Sequence, residues 1–349
     1  MRALTVRPGH ARSVRLDDVP EPNPEDGSML VRTLRMGVCG TDREIAAGLY
    51  GTAPEGRERL ILGHESLGEV LEAPAASGFG SGDLVVGIVR RPDPVPCPSC
   101  AAGEWDMCRN GLFTERGIKE RDGFAADRFR IEPEFAVRVD PALGASGVLL
   151  EPASVLAKAW EQIGRIGSRA AAWEPRTVLI TGAGPVGLLA ALMGVQRGLR
   201  VHLFDRITEG PKPALARDLG ATYHAGSLDS LEDAPDVVLE CTGATAVIFD
   251  VVNRTSRLGV VCLTGISSGG RTIEVDFGLV NRTIVLENDA VFGSVNANRR
   301  HYEAAARALA EADPGWLERL ITRRVPPEAW EDALRPEPGD VKVTIDFTL

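Results

Sequence analysis

The sequence predicts an α/β protein: a barrel-like, largely antiparallel β domain followed by a doubly wound parallel sheet. Three features predict it: a glycine turn framed by two strands near mid-chain, regular alternation of apolar runs and helical stretches after it, and short turn-rich β segments before it. The glycine turn carries most weight. Residues 177–180 form an apolar, β-branched run; Gly182, Gly184 and Gly187 follow with Pro185 and Val186 in GxGxxG spacing; 188–196 is apolar enough for a helix packed on a sheet; and a second apolar run ends at Asp205. In such a βαβ unit the first glycine permits the tight turn, the second lets the backbone approach a pyrophosphate, and the third allows close helix–strand packing. The anion sits on the helix N-terminus, and an acid at the end of the second strand reaches the ribose hydroxyls. GxGxxG alone would also suit a glycine turn in another α/β protein, but the flanking strands and Asp205 point to a dinucleotide.

The later runs at 236–241, 260–264 and 290–294 read as further strands, with helices at 213–219 and 245–255 between them. Ligands of such sheets lie at the carboxyl ends of the strands. That places Thr242, Thr264, Gly265, Val295 and Asn296 along the cofactor. Asp205 favours NAD, because a carboxylate binds the ribose diol and repels a 2′-phosphate, whereas the adjacent Arg206 suits either adenine stacking or that phosphate and leaves NADP open.

Composition narrows the class. With 349 residues, 44% of them hydrophobic, the chain can bury a large core in two domains. A net charge of −10 argues against nucleic acid or an anionic membrane as partner. No apolar run is long enough to span a bilayer and the N-terminus lacks a signal-peptide core, so a soluble, cytoplasmic protein is expected. In that setting six cysteines suggest metal or redox chemistry rather than disulfides.

Residues 1–150 alternate β-rich runs (29–34, 67–73, 83–89 and 124–130) with Gly-, Pro- and Asp-rich turns, and 19–27 reads as a surface loop. Two clusters carry possible chemistry. The first combines Cys39 in GVCGTD, His64 and Glu65 in GHESLG, and Glu151 before Pro152. Taken singly these are a small core residue, a turn histidine and surface acids. Together, each beside a glycine or proline turn, they supply the thiolate, imidazole and carboxylate of a catalytic zinc with one position open. The second is Cys97-Pro98-Ser99-Cys100 followed by Cys108, the thiolate spacing of a closed structural zinc site. Cys241 and Cys262 lie in apolar runs and read as core.

GVCGTD, GHESLG, the later Glu-Pro and GAGPVG together resemble the zinc-dependent medium-chain alcohol dehydrogenase superfamily over essentially the whole chain. The segments at 113–118, 205–213 and 293–302 are most similar to the glucose 1-dehydrogenases. The resemblance implies a GroES-like catalytic domain (1–152 and 308–349) and a Rossmann domain (153–307), with the active site in the cleft between them. It makes Cys39 and His64 zinc ligands, with Glu65 and Glu151 as carboxylate ligands that alternate or act through water, and Thr41 the hydroxyl that passes the substrate proton outward. The superfamily's structural site has a fourth cysteine where this chain has Pro94, so Asp93 or another group completes the site, or the lobe has lost its metal. Glu115, otherwise a solvated loop acid, becomes a sugar-binding acid. His301, in the first turn of a helix expected at 299–312 and capped by Asn298, reads as exposed on its own, but the resemblance brings it to the substrate pocket. Val155 stands where these enzymes often carry a further sugar-binding acid, which puts glucose itself in doubt.

The implied reaction transfers a hydride from a sugar or polyol hydroxyl to NAD(P), giving a lactone or ketone, in a homo-oligomer that is a dimer or tetramer. Other secondary alcohols or cyclitols are the alternative substrates. A zinc-free quinone reductase or a non-catalytic nucleotide-binding protein would share the glycine turn but lack the first cluster.

Overall fold

The computed structural model describes residues 1–228, 231, 233–267 and 272–349, and the chain divides into two compact units, Met1–Ser154 with Asn296–Leu349, and Val155–Val295. In the first unit the ten-residue strand Met29–Val38 is the spine. It pairs antiparallel with Glu65–Glu72 on one side and Lys342–Asp346 on the other, and its first half also pairs with Arg128–Ile131. The register sets Gly37 opposite Glu65 and Thr344, so a mid-chain turn and the C-terminal strand meet at one point. Alternation holds the sheet in place: Met29, Val31 and Thr33 point into the core and Arg32 out, and a slip of one residue would reverse every one of them. Leu4, Val6, Val38, Ile45, Leu60, Leu62, Val343 and Ile345 fill one core cluster beneath it.

The 124–130 run becomes strand only at Arg128, because Phe124 and Ala125 give their N–H groups to the carbonyls of Gly63 and Leu62 instead. This ties the segment behind the GHESLG turn rather than into the ladder. The helix Pro314–Leu320 and the strand Ile321–Val325 were not expected from the sequence. Arg323 and Arg324 break the apolar signal of that strand, which exists because it pairs in parallel with Lys342–Asp346.

The second unit is a parallel sheet in the order Thr222–His224, Arg200–Phe204, Thr177–Thr181, Val237–Glu240, Val260–Leu263, Ala290–Gly293. Every residue of Thr177–Thr181 is buried, as befits a central strand covered on both faces. Strand order reverses there, which makes its carboxyl end the topological switch point. Helix Pro185–Gln196 starts at the glycine turn and is buried from Gly187 to Gly194, matching its apolar sequence. Helix Phe277–Glu287 was not foreseen; Phe277, Leu279, Val285 and Leu286 are exposed along it.

Candidate active site and dinucleotide turn

Cys39 ends the spine strand and caps helix Gly40–Ala46. Its Sγ accepts the N–H of Thr41 at 3.2 Å, while its own N–H donates to Asp42 Oδ2 at 2.9 Å, so the helix start aims the sulfur and Asp42 locks the turn. His64 Nε2 lies 3.1 Å from that sulfur, and its Nδ1 lies 3.3 Å from Asp42 Oδ1. One acid therefore anchors both the cysteine backbone and the far side of the imidazole. Burial opposes a charge on His64, but Cys39 and Asp42 outweigh it and hold the imidazole well above its ordinary pKa.

Ligand atoms of Cys39, His64 and Glu65 all lie within 4.8 Å of one another. Sulfur, nitrogen and oxygen donors converging from three side chains fit a zinc ion with an open position, and the second imidazole nitrogen on a carboxylate is the arrangement that orients such a ligand. Glu65, 2% exposed, also pairs with the ammonium of Lys342, 1% exposed. The cradle leaves no spare room: a Cβ on Gly37 would sit 2.1 Å from Glu65 Oε2 and 2.9 Å from Lys342 Cε. Glu151 is half-buried at the start of helix Leu150–Gly167, outside the converging trio but within its field. Burial pushes its carboxyl up to about 7, with His64 and Lys342 pulling the other way and Glu65 adding to the rise.

Glu115, 5% exposed, is not a solvated loop acid. Its Oε1 accepts Arg90 Nε and Nη2 at 3.1 and 3.0 Å and Asn296 Nδ2 at 2.7 Å. Asn296 holds this contact from a left-handed backbone conformation, φ 62°. His301 is 1% exposed, against the exposed position read from the bare sequence; its Nδ1 accepts the Asn298 N–H at 3.1 Å, so a neutral ring carries its proton on Nε2.

The thiols of Cys97, Cys100 and Cys108 converge within 4.8 Å. The backbone N–H groups of Arg109, Cys100 and Ser99 bring the Cys97 thiol down to about 6, whereas burial pushes Cys100 up to about 11. Asp93 stands outside this trio: its oxygens accept Val95 N–H at 2.8 Å and Asn110 Nδ2 at 2.7 Å. Three soft thiolates suit zinc. Cys262 is buried and Cys241 half-buried in the second unit, the latter accepting Thr264 Oγ1 at 3.3 Å.

At the glycine turn, Gly182 adopts φ 90°, and a Cβ on Gly187 would lie 1.7 Å from the Gly182 carbonyl, so neither position admits a side chain. Asp205 Oδ2 accepts the Ala183 N–H at 2.7 Å and Oδ1 that of Ile207 at 3.0 Å, which places the acid against the turn; Lys212 Nζ stands 3.6 Å away, and Arg206 is exposed. Gly184, Pro185 and Val186 open the helix with no side-chain cap, leaving its first N–H groups for an anion.

Two family models cover most of the chain: the alcohol dehydrogenase GroES-like domain over residues 25–141 and the glucose dehydrogenase C-terminus over 144–347. Glucose 1-dehydrogenase of Methanocella arvoryzae is 40% identical over 358 residues, 99% of each chain. The counterpart from Halobacterium salinarum is 40% identical over 96% of each. The chain belongs to the glucose dehydrogenase family. A glucose dehydrogenase of Haloferax mediterranei, solved in complex with NADP, zinc and gluconolactone, superposes on all of both chains with a TM-score of 0.91 at 32% identity.

Glucose dehydrogenase family members are zinc-dependent alcohol dehydrogenases, and this chain shows their two-part architecture, a GroES-like β domain and a Rossmann sheet. Within that architecture, sequence reasoning missed four residues. Asp42 lay inside the quoted GVCGTD motif without a role. Lys342 had no local signal, because Glu65 reaches it only through the sheet. Glu240, fully buried, holds the turn after its strand by accepting Thr181 Oγ1 at 3.1 Å and the N–H groups of Thr242 and Gly243 at 2.8 and 3.1 Å. Tyr302, 1% exposed, has its hydroxyl pKa raised by burial and by Glu151.

Proposed function

We propose that this chain is a zinc-dependent sugar dehydrogenase that oxidises the anomeric hydroxyl of an aldose to the lactone while reducing NAD(P). The observation that carries this reading is the convergence of Cys39, His64 and Glu65 with the oriented acid Glu115 in the same unit. The reaction balances as aldose plus NAD(P)+ to lactone, NAD(P)H and one proton: C1 loses hydride to the nicotinamide and its hydroxyl loses the proton. Bound zinc supplies Lewis acidity toward that hydroxyl and the nicotinamide supplies the electron-pair acceptor.

The chain's own residues do the rest. Cys39, His64 and Glu65 hold the metal, with Glu151 as the alternating carboxylate. Thr41 moves the hydroxyl proton outward. The second carboxylate oxygen of Glu115 accepts from a sugar hydroxyl while Arg90 and Asn296 fix the first, and His301 donates from Nε2. Asp205 takes the ribose diol and, with Arg206 beside it, admits NAD first and NADP second; Gly182 to Gly187 take the pyrophosphate, and Thr242, Thr264, Gly265 and Val295 line the remaining length. Asp93 is the candidate fourth partner of Cys97, Cys100 and Cys108. Val155, lacking a donor or acceptor, leaves one sugar hydroxyl unpaired and broadens the range of aldoses accepted.

The enzyme works in the cytoplasm as a homo-oligomer. The outer strand Ala290–Gly293 exposes Val291, and helix Phe277–Glu287 exposes Phe277, Leu279, Val285 and Leu286 in the same unit, apolar area suited to a second copy. Among the described residues no helix is long and apolar enough to cross a membrane. The deciding experiment is absorbance at 340 nm with zinc-loaded protein, NAD or NADP, and a panel of D-glucose, other aldoses, cyclitols and secondary alcohols. Turnover confined to non-sugar alcohols would move the substrate elsewhere, and sedimentation as a monomer would remove the oligomer.

A further inference from the structure

The loop that carries Cys108 reaches the sugar pocket through one acid. Asp106, 5% exposed, accepts Asn298 Nδ2 on Oδ1 at 2.7 Å, and its Oδ2 lies 4.0 Å from His301 Nδ1. Its backbone carbonyl accepts Arg90 Nη1 at 3.1 Å. Arg90 turns its other two nitrogens, Nε and Nη2, to Glu115 Oε1, and its guanidinium lies 3.7 Å from the centre of the Phe113 ring. Glu115 Oε1 in turn accepts Asn296 Nδ2, and Asn296 is two residues before Asn298. The contacts therefore close a ring from Asn298 through Asp106, Arg90 and Glu115 to Asn296 and back along the chain.

A closed ring of buried, charge-assisted bonds has one low-energy arrangement, so displacing a member moves its neighbours. The Asp106 carboxylate also pins the helix Arg299–Ala310 at its cap: Asn298 uses Oδ1 for the Arg300 N–H at 3.2 Å, Nδ2 for Asp106, and its own N–H for His301 Nδ1. Arg300 fastens the same loop from the same first turn through Glu104 at 2.9 Å. We propose that Asp106 is the positioning residue of the sugar pocket, its carboxylate orienting His301 through Asn298 and its main-chain carbonyl holding Arg90 against Glu115. This rests on the reading above that Glu115 and His301 bind the sugar.

The test is steady-state kinetics of the zinc-loaded enzyme carrying Asp106→Ala, Asp106→Asn, Asn298→Ser or Glu115→Gln, with thermal melts of each. Asp106→Ala should raise the KM for D-glucose about tenfold or more, the loss of a charge-assisted hydrogen bond. The KM for NAD+ should stay near wild type, and the melting temperature should fall by a few degrees, the cost of leaving the buried Asn298 amide unpaired. Asp106→Asn keeps an acceptor for Asn298 and should recover most of the sugar affinity. Should Asp106→Ala fail to fold, Asn298→Ser gives the same measurement, because serine keeps a capping oxygen and removes only the amide donor. A sugar KM unchanged by Asp106→Ala but raised by Glu115→Gln overturns the positioning role alone. A joint rise in both KM values also overturns it. Unchanged sugar KM in both Glu115→Gln and Asp106→Ala removes the sugar-pocket reading as well.

Discussion

Cys97, Cys100 and Cys108 come from one short stretch, whereas Cys39, His64 and Glu65 come from a helix cap and a strand start brought together by the pairing of Met29–Val38 with Glu65–Glu72. The thiol group is satisfied by its own loop: backbone N–H groups of Ser99, Cys100 and Arg109 face the sulfur of Cys97. The mixed group is embedded in buried charge, with Asp42 behind the imidazole and Lys342 on the carboxylate. A metal-binding loop can be read from spacing because its geometry is local. A metal site that must also keep an open position needs ligands held apart by the fold, and the fold then has to neutralise what it buries.

Cys39→Ala puts this contrast under the greatest strain. Loss of the sulfur donor should remove bound zinc and lower kcat/KM by on the order of a thousandfold or more, read at 340 nm beside metal analysis. Full turnover in that variant would make the mixed group ornamental and leave the thiols as the working site. Lys342→Met comes next: it strands the Glu65 carboxylate in the interior, a destabilisation of about 3–5 kcal/mol by denaturant melt, and adding Glu65→Gln should recover most of it. If Lys342→Met melts like wild type, the buried pair does not support the sheet junction.

Asp42→Asn should weaken zinc binding about 10- to 100-fold in a chelator competition while leaving metal in the thiol lobe untouched, since Asp42 holds Cys39 and His64 and touches none of the three thiols. Cys108→Ser should do the reverse, lowering the melting temperature by a few degrees, about 1 kcal/mol in a unit of this size, with kcat within about twofold. Equal losses of turnover in these two variants would erase the distinction. The smallest effect lies outside both clusters. His202 Nδ1 and His224 Nε2 are 2.9 Å apart on adjacent strands of the parallel sheet, and burial lowers the pKa of both, with His224 lowering His202 further. Folding thus favours the neutral rings, and that stability is present above the unfolded value near about 6.5 and is lost as pH falls through the lower folded values. His224→Gln should therefore show a shallower fall in melting temperature below about pH 6.5; an unchanged slope would assign the acid sensitivity to other groups.

Much of the molecule is legible in the order of its residues. Gly182, Gly187 and Asp205 announce the glycine turn because steric demands there act over a few residues, and the clash of a Gly187 Cβ with the Gly182 carbonyl is the demand itself. Cys39 and His64 are legible because each sits in a glycine turn with a recognisable neighbour set. His301 is not: the first turn of a helix looks solvated until the segment ending at Asp106 covers it, and the sign of that contact, Asp106 to Asn298, spans 192 residues. The strand Ile321–Val325 escapes for a similar reason, since its partner rather than its composition makes it a strand.

Propensity, glycine sterics and ligand chemistry are properties of neighbouring residues, so the chain's order alone determined the two kinds of layer, the glycine turn between two strands, and the types of donor available to a metal. Which charges those donors share was decided by the tertiary structure. Lys342 reaches Glu65, Arg90 turns Glu115, Asp106 ties the cysteine loop to the helix cap, and Glu240 holds the Thr242 and Gly243 turn through strand register and burial. A buried charge must find its partner wherever the fold puts one, and spacing along the chain carries no record of that choice.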